Sequence, residues 1–257
     1  MTGTSVSILS SFNRQDTMPV HIKAEKKDIA PFVLMPGDPD RATYIAEKYL
    51  TDVRCYTDYR KMYGYTGLYE GMPVSVQTTG MGTPSVAIIT EELIMLGAKV
   101  LMRVGTCGAL QPEMKLGDVI ISSAAWGSRD IVKEITGSEL YSPVPDSKLM
   151  IDCYEANREI SPGKFHLGPI GTVNLFYSDP VAFNAPLAEL GCCALEMESA
   201  AIFSIAAKKN VAAASMFTVS DLIQDPKNMV RASDQVILEG VDRMIKASLK
   251  VFGQRKG

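Results

Sequence analysis

No apolar run in this 257-residue sequence is long enough to cross a bilayer, and no cysteine pattern staples it together. The five cysteines are an odd number, show no zinc-type spacing, and include the adjacent pair Cys192 and Cys193 in an apolar stretch. That usage excludes a disulfide-rich secreted scaffold and points to free thiols in a reducing, cytoplasmic setting. Charge of one sign is also lacking. A net charge of −3 offers no bulk attraction for nucleic acid or an anionic membrane, although a local anion site needs only a few converging arginines. Internal repeats, low-complexity tracts and linkers are absent, so one domain is expected. Residues 1–17 lack the basic start and apolar core of a signal peptide and read as a flexible extension, with the domain occupying 18–257.

What is present is enough apolar residue, 46%, for a sizeable core. The run 32–35 reads as a buried strand ending at PGDP, and 42–50 as a helix. Segments 63–69 and 74–78 flank Glu70-Gly71 as a hairpin. Segment 84–96 has helical spacing, starts with proline and stops at Gly97. A strand over 99–104 runs into an expected loop, GTCGAL, and another strand covers 118–124. The polar stretch 127–145 reads as a surface excursion. Helices are expected over 146–159, 199–209 and 229–251, and strands over 192–195 and 212–219. Alternating strands and helices predict an α/β fold with a parallel or mixed sheet covered on both faces. Ligands in such sheets sit beyond the carboxyl ends of strands, which directs attention to GDPDR, GMGTPS, RVGTCG and SDLIQD.

Gly37 follows the first strand and lets backbone N–H groups approach a ligand, and Arg41 adds a fork suited to phosphate near a helix start. The alternative is an ordinary turn with a surface arginine. Arg103 interrupts an apolar strand, where an unpaired charge would cost several kcal/mol. It is either an anion ligand, with Thr106 and the glycine-flanked backbone after it, or half of a structural salt bridge. Glu196-Met197-Glu198 stands between a strand-like run and a helix, where acidic residues favour the helix dipole as readily as a ligand. Asp221 ends a buried run, where desolvation favours a protonated carboxyl; the alternative is a helix cap.

Five segments then carry a resemblance. MPVHIKAEKKDIAPFVLMPGDPDRA resembles the N-terminal region of hexameric bacterial purine nucleoside phosphorylases. RVGTCGAL, NLFYSD, ALEMESAAI and FTVSDLI resemble later segments of that family, in the same order and at similar separations. The resemblance implies a single domain whose twisted mixed sheet forms a distorted barrel flanked by helices. It implies phosphorolysis of purine (deoxy)ribonucleosides to free base and (deoxy)ribose 1-phosphate, with inorganic phosphate as substrate and no metal or organic cofactor. It also implies a homohexamer built as a trimer of dimers, without nucleic-acid or membrane partners. By the same resemblance Gly37, Arg41, Arg103 and Thr106 hold phosphate, joined by Arg60 from a neighbouring subunit. Met81, Met197 and Glu198 hold the ribose with the neighbour's His21. Phe176, Cys107, Gly108 and Glu196 face the base. Asp221 donates a proton to purine N7, assisted by Arg231.

Three other readings exist on the same scaffold; one, a hydrolytic nucleosidase that uses water in place of phosphate, is opposed by the three arginines placed for phosphate. Uridine phosphorylases share PGDPDR, RVGT and EMES-like segments, but hold the pyrimidine with a glutamine and an arginine soon after the aromatic residue. Here Phe176-Tyr177-Ser178-Asp179-Pro180-Val181-Ala182 has neither. A non-catalytic nucleoside-binding protein would normally lack Asp221, Glu198 or a phosphate arginine, and all are present.

Overall fold

One strand, β5 (Val100–Ala109), belongs to two structures at once. Along its first half it pairs in parallel with β1 (Phe32–Met35), from Phe32↔Val100 to Met35↔Arg103. At its far end it pairs antiparallel with β8 (Ala194–Glu196), at Gly108↔Leu195 and Ala109↔Ala194. Its other edge pairs throughout with β9 (Ala212–Leu222), absorbing one irregularity between Cys107 and Gly108. The computed structural model describes residues 19–177, 180–225 and 227–255, so the extension, and the boundary expected at Met18, lie outside the described residues.

The remaining strands extend these two pairings. β1 continues through β4 (Met72–Gln77) and β3 (Gly64–Tyr69) to the edge strand β2 (Thr51–Thr57). β9 continues through β6 (Val119–Gly127) and β7 (Phe165–Thr172) back to β8, and the β9–β5 pairing closes these five strands into a barrel. β10 (Val230–Arg231) adds a short antiparallel edge to β9. The mixed sheet and distorted barrel implied by the resemblance are therefore what the chain forms.

Helices cover both faces, each over its own core. On one side α2 (Thr83–Met95) contributes Val86, Ile89 and Leu93, α3 (Arg129–Thr136) contributes Val132, and α6 (Ser199–Lys209) contributes Ala200 to Phe203. On the other, α1 (Pro39–Tyr49), α4 (Ser147–Ile160) and α7 (Asp234–Gln254) bury Ile45, Leu149 and Phe252 against Met102 and Val104. α5 (Pro180–Glu189) lies between β7 and β8 in the chain. The local signals act as expected at several ends: Asp38 caps α1 ahead of Pro39, and Asp146 caps α4 by accepting from the Leu149 N–H at 2.7 Å. Glu70 and Gly71 turn the β3–β4 hairpin with φ of 49° and 74°. Among the described residues no helix is long and apolar enough to cross a membrane.

Three expectations are corrected, and three elements, β2, β7 and α5, were not expected. GTCGA is strand, because β9 supplies a ladder partner for each of its residues. The excursion 127–145 contains α3, an amphipathic helix with a single fully buried contact, Val132. β2, β7 and α5 carry no clear periodic signal. The last helix starts at Asp234, capped by Ser233, and the residues before it form β10.

α7 crosses the barrel at Gly240, where a Cβ would lie 2.3 Å from Thr218 Cγ2 and 2.7 Å from the Gly117 carbonyl. Gly240→Ala is expected to destabilise the protein by about 1–3 kcal/mol through overpacking, despite alanine's better helix propensity. Gly253→Ala in the same helix meets open space and is expected to stabilise by up to ~1 kcal/mol. Urea denaturation of the two variants measures both signs.

Candidate active site

The gap between β1 and β8 defines the site. β1 pairs with β5 only as far as Arg103 and β8 begins at Gly108, so residues 104–107 face neither strand on that edge. Into this gap project the turn after β1, the turn after β4 and the start of α6.

Arg103 lies in its wall, 4% exposed, with its guanidinium 5.5 Å from the Phe217 ring centroid. Nε donates to Glu196 Oε2 at 3.1 Å and Nη2 donates to Glu198 Oε2. Nη1 is buried without a hydrogen-bond partner. Two nitrogens of Arg103 therefore make a structural ion pair, and the third is left over. Gly37 lies beside that nitrogen, since a Cβ there would stand 3.8 Å from Nη1 and 3.1 Å from the Gly80 carbonyl. Arg41, in the first turn of α1, is half-buried; burial pulls its pKa down, Asp38 opposes this, and nearby Arg103 adds to the fall. A guanidinium whose pKa is lowered by burial and by a second guanidinium nearby asks for an anion beside it. Thr106 is half-buried further along β5, opposite Thr218.

Glu198 stands at the N-cap of α6 but makes no side-chain cap. Its Oε1 instead accepts the Gly82 N–H at 2.6 Å, while Oε2 takes Arg103, so it ties the start of α2 to the arginine. Met81 beside it is 83% exposed and Phe176 69%, so neither is a core residue; Met197 is half-buried. Asn174 braces the loop that carries Phe176: its Oδ1 accepts from Thr83 at 3.2 Å and Ser128 at 3.1 Å. Ser178 and Asp179, which end the NLFYSD segment, lie outside the described residues.

Asp221 lies near the end of β9, opposite Gly108 of β5 in register. It caps no helix, and its side chain is 27% exposed, in contrast to the enclosed carboxyl expected, because β9 emerges from the barrel at this point. Ser220 Oγ lies 2.6 Å from its Oδ2 and 3.2 Å from the Cys107 carbonyl. β10 sets Arg231 directly opposite Asp221 in register, with Nη1 3.7 Å from Oδ1. Of the residues expected to face the base, the side chains of Cys107 and Glu196 are enclosed instead. The Cys107 side chain is 3% exposed and packed in the core, where burial pushes its thiol well up, and Ile223 covers Gly108. Glu196 is enclosed, because its carboxylate takes Arg103, Thr172 and the N–H groups of Glu198 and Ser199. Burial raises its pKa, Arg103 opposes this and Glu198 adds to it.

The structure does not bring Arg60 or His21 to this group within one chain. Arg60 is exposed on the turn after β2, in a left-handed conformation with φ of 55°. His21 is held by Glu92, two turns or more down α2 from Gly82 and so ~14 Å along its axis. Glu92 accepts the N–H groups of Val20 and Ile22 at 3.0 and 2.6 Å and contacts His21 Nδ1 at 2.8 Å. A carboxylate accepts only, so Nδ1 carries the hydrogen in this contact. Glu92 itself was legible as an acid on the buried stripe of α2; Ser220 and Asn174 carried no signal beyond a polar residue at a strand end.

Residues 31–251 match the phosphorylase superfamily. The chain belongs to that family. A purine nucleoside phosphorylase of the DeoD type from Alkaliphilus metalliredigens is 43% identical over 205 residues, covering 79% of this chain and 88% of that one. One from Streptococcus pyogenes is 39% identical over 219 residues, covering 85% and 92%. Among solved structures, purine nucleoside phosphorylase from Toxoplasma gondii in complex with immucillin-H superposes with a TM-score of 0.85 at 26% identity, over 93% and 96% of the two chains. Uridine phosphorylase from Vibrio fischeri superposes with a TM-score of 0.84 at 23% identity, over 94% and 99%, which is a likeness of fold.

The Glu92 clasp sets a pH dependence. Burial pushes its carboxyl up, but hydrogen bonds from Ile22, His21 and Val20 outweigh this and leave the pKa lowered. A depressed pKa stabilises the fold above the unfolded value of about 4.3 and is lost as pH falls through the folded one. Glu92→Gln is therefore expected to be less stable than the wild type at pH 7, with the difference shrinking below about pH 4. Thermal unfolding across that range measures it.

Proposed function

We propose that this chain is a purine nucleoside phosphorylase, a pentosyltransferase that moves the (deoxy)ribosyl group of a purine nucleoside onto inorganic phosphate, reversibly. The observation that carries this reading is the unpartnered Nη1 of buried Arg103, set over Gly37 beside half-buried Arg41, with Asp221 and Arg231 paired near the end of the neighbouring strand β9. The names of the relatives from Alkaliphilus and Streptococcus support the purine specificity.

In this reading phosphate is held by Arg103, Arg41, Thr106 and the backbone at Gly37. Glu198 accepts hydrogen bonds from the ribose 2′- and 3′-hydroxyls with lone pairs not used by Gly82 and Arg103. Met81 and Met197 pack on the sugar, and Phe176 lies along the base. As the glycosidic bond breaks, positive charge develops on the ribose and negative charge on the departing purine. Phosphate stabilises the first and then captures C1′; Asp221, carrying a proton, donates it to N7 and neutralises the second. Arg231 supports Asp221, and Ser220 orients it. Arg60 and His21 serve the site of an adjacent subunit in a hexamer built as a trimer of dimers. Arg60 adds charge to the phosphate, and His21 Nε2 accepts from the ribose 5′-hydroxyl. The chemistry uses acid and anion alone, without a metal or organic cofactor, and the enzyme works in the cytoplasm.

Incubation of the purified protein with inosine, adenosine and uridine, with and without phosphate, tests the reading. Phosphate-dependent release of hypoxanthine or adenine is expected; release of uracil alone would move the chain to the pyrimidine branch, and binding without turnover would make it a binding protein. Asp221→Asn is expected to lower kcat on inosine by about 10²–10⁴-fold, with a much smaller loss on 7-methylguanosine, whose leaving group already bears the charge. An equal loss on both substrates would remove Asp221 from the acid role.

A further inference from the structure

Glu196 stands where a base contact was expected, yet its side chain has no exposed surface. Every contact its two oxygens make comes from a donor. Oε2 accepts Arg103 Nε at 3.1 Å, the Glu198 N–H at 2.9 Å and the Ser199 N–H at 3.1 Å. Oε1 accepts Thr172 Oγ1 at 2.6 Å and the Ser199 N–H at 3.0 Å. Thr172 is itself held by the Ala200 N–H at 3.0 Å. The carboxylate is thus locked by the first turn of α6 and the end of β7, and it holds one edge of a planar guanidinium.

A guanidinium gripped at one nitrogen can still swing; gripped at two by separate carboxylates, its plane is set. Glu198 grips Nη2, but that carboxylate also faces the opening and, on the reading above, the sugar. Glu196 faces nothing except protein. We infer that Glu196 is a positioning residue for phosphate: it fixes the plane of Arg103 so that Nη1 is presented over Gly37, and it contacts neither base nor sugar. The inference rests on the phosphate site proposed above.

The sign of a charge change separates this role from a purely electrostatic one. A negative charge beside an anion site repels the anion, so if Glu196 acted only through its charge, Glu196→Gln would tighten phosphate binding and Glu196→Asp would leave it unchanged. If it positions Arg103, both variants weaken phosphate. Glu196→Gln loses the charge-assisted bond, and Glu196→Asp withdraws the carboxylate by one methylene.

Isothermal titration of inorganic phosphate into the full-length protein without nucleoside reads this directly, with thermal unfolding as the check on folding. Both variants are expected to raise the phosphate Kd about tenfold or more, with inosine affinity in the absence of phosphate within about twofold of wild type. Phosphate binding that is unchanged or tighter, or a loss confined to inosine, overturns the inference. Wild-type protein that binds no phosphate would instead overturn the phosphate reading itself. Should both Glu196 variants fail to fold, Thr172→Val removes one tether and leaves the charge; a several-fold rise in phosphate Kd is expected, and wild-type affinity overturns the inference.

Discussion

A guanidinium buried in the wall of a barrel is the constraint on which this structure turns. Arg103 sits between Glu196 and Glu198 with almost no contact with solvent, and removing the arginine would leave two buried carboxylates uncompensated, at a cost of about 3–5 kcal/mol. The cost explains why so many separate elements converge there. β7 supplies Thr172, β8 supplies Glu196, the first turn of α6 supplies two N–H groups, and the start of α2 is drawn in through Gly82 and Glu198. The network leaves one nitrogen of Arg103 without a partner, so the side chain that holds these elements together is also the one proposed to meet phosphate.

The topology makes room for that nitrogen. β5 leaves the open sheet at Arg103 and is not met by β8 until Gly108, and the turns after β1 and β4 converge on the interval. β9 runs the whole length of β5 and carries Asp221 opposite Gly108, where β8 joins. In the proposed site the anion-binding Arg103 and the acid Asp221 are therefore held on two adjacent strands that pair with each other along their length. Only the residues around them, Met81, Phe176 and Arg231, sit on exposed turns and edges. This is a division between a rigid frame that fixes charge and a softer rim that meets the substrate.

His21 and Arg60 follow a different logic. Neither reaches this group within its own chain, yet His21 is anchored by a buried acid and Arg60 is held at positive φ next to Lys61, also at positive φ. An ordered conformation without an internal use fits the role proposed for them in an adjacent subunit's site.

Much of the frame was legible in the sequence because it is governed by local rules. The β3–β4 hairpin, α2, α6 and β1 follow from turn residues, caps and apolar period. Arg103 stood out because a charge within an apolar strand needs a reason. The errors arose where pairing partners distant in sequence overrode local chemistry. Glycine-rich GTCGA looked like a loop and became strand because β9 lies beside it. Glu196 looked like a ligand contact and became an internal brace. The last helix lost its first residues to β10, whose partner is β9. The amino-acid sequence by itself determined the elements, the two-faced core and the identity of the charged residues. Only the tertiary structure decided which of those charges neutralise one another and which is left for a ligand, since that depends on distances between strands separated by ninety or more residues, such as the 93 between Arg103 and Glu196.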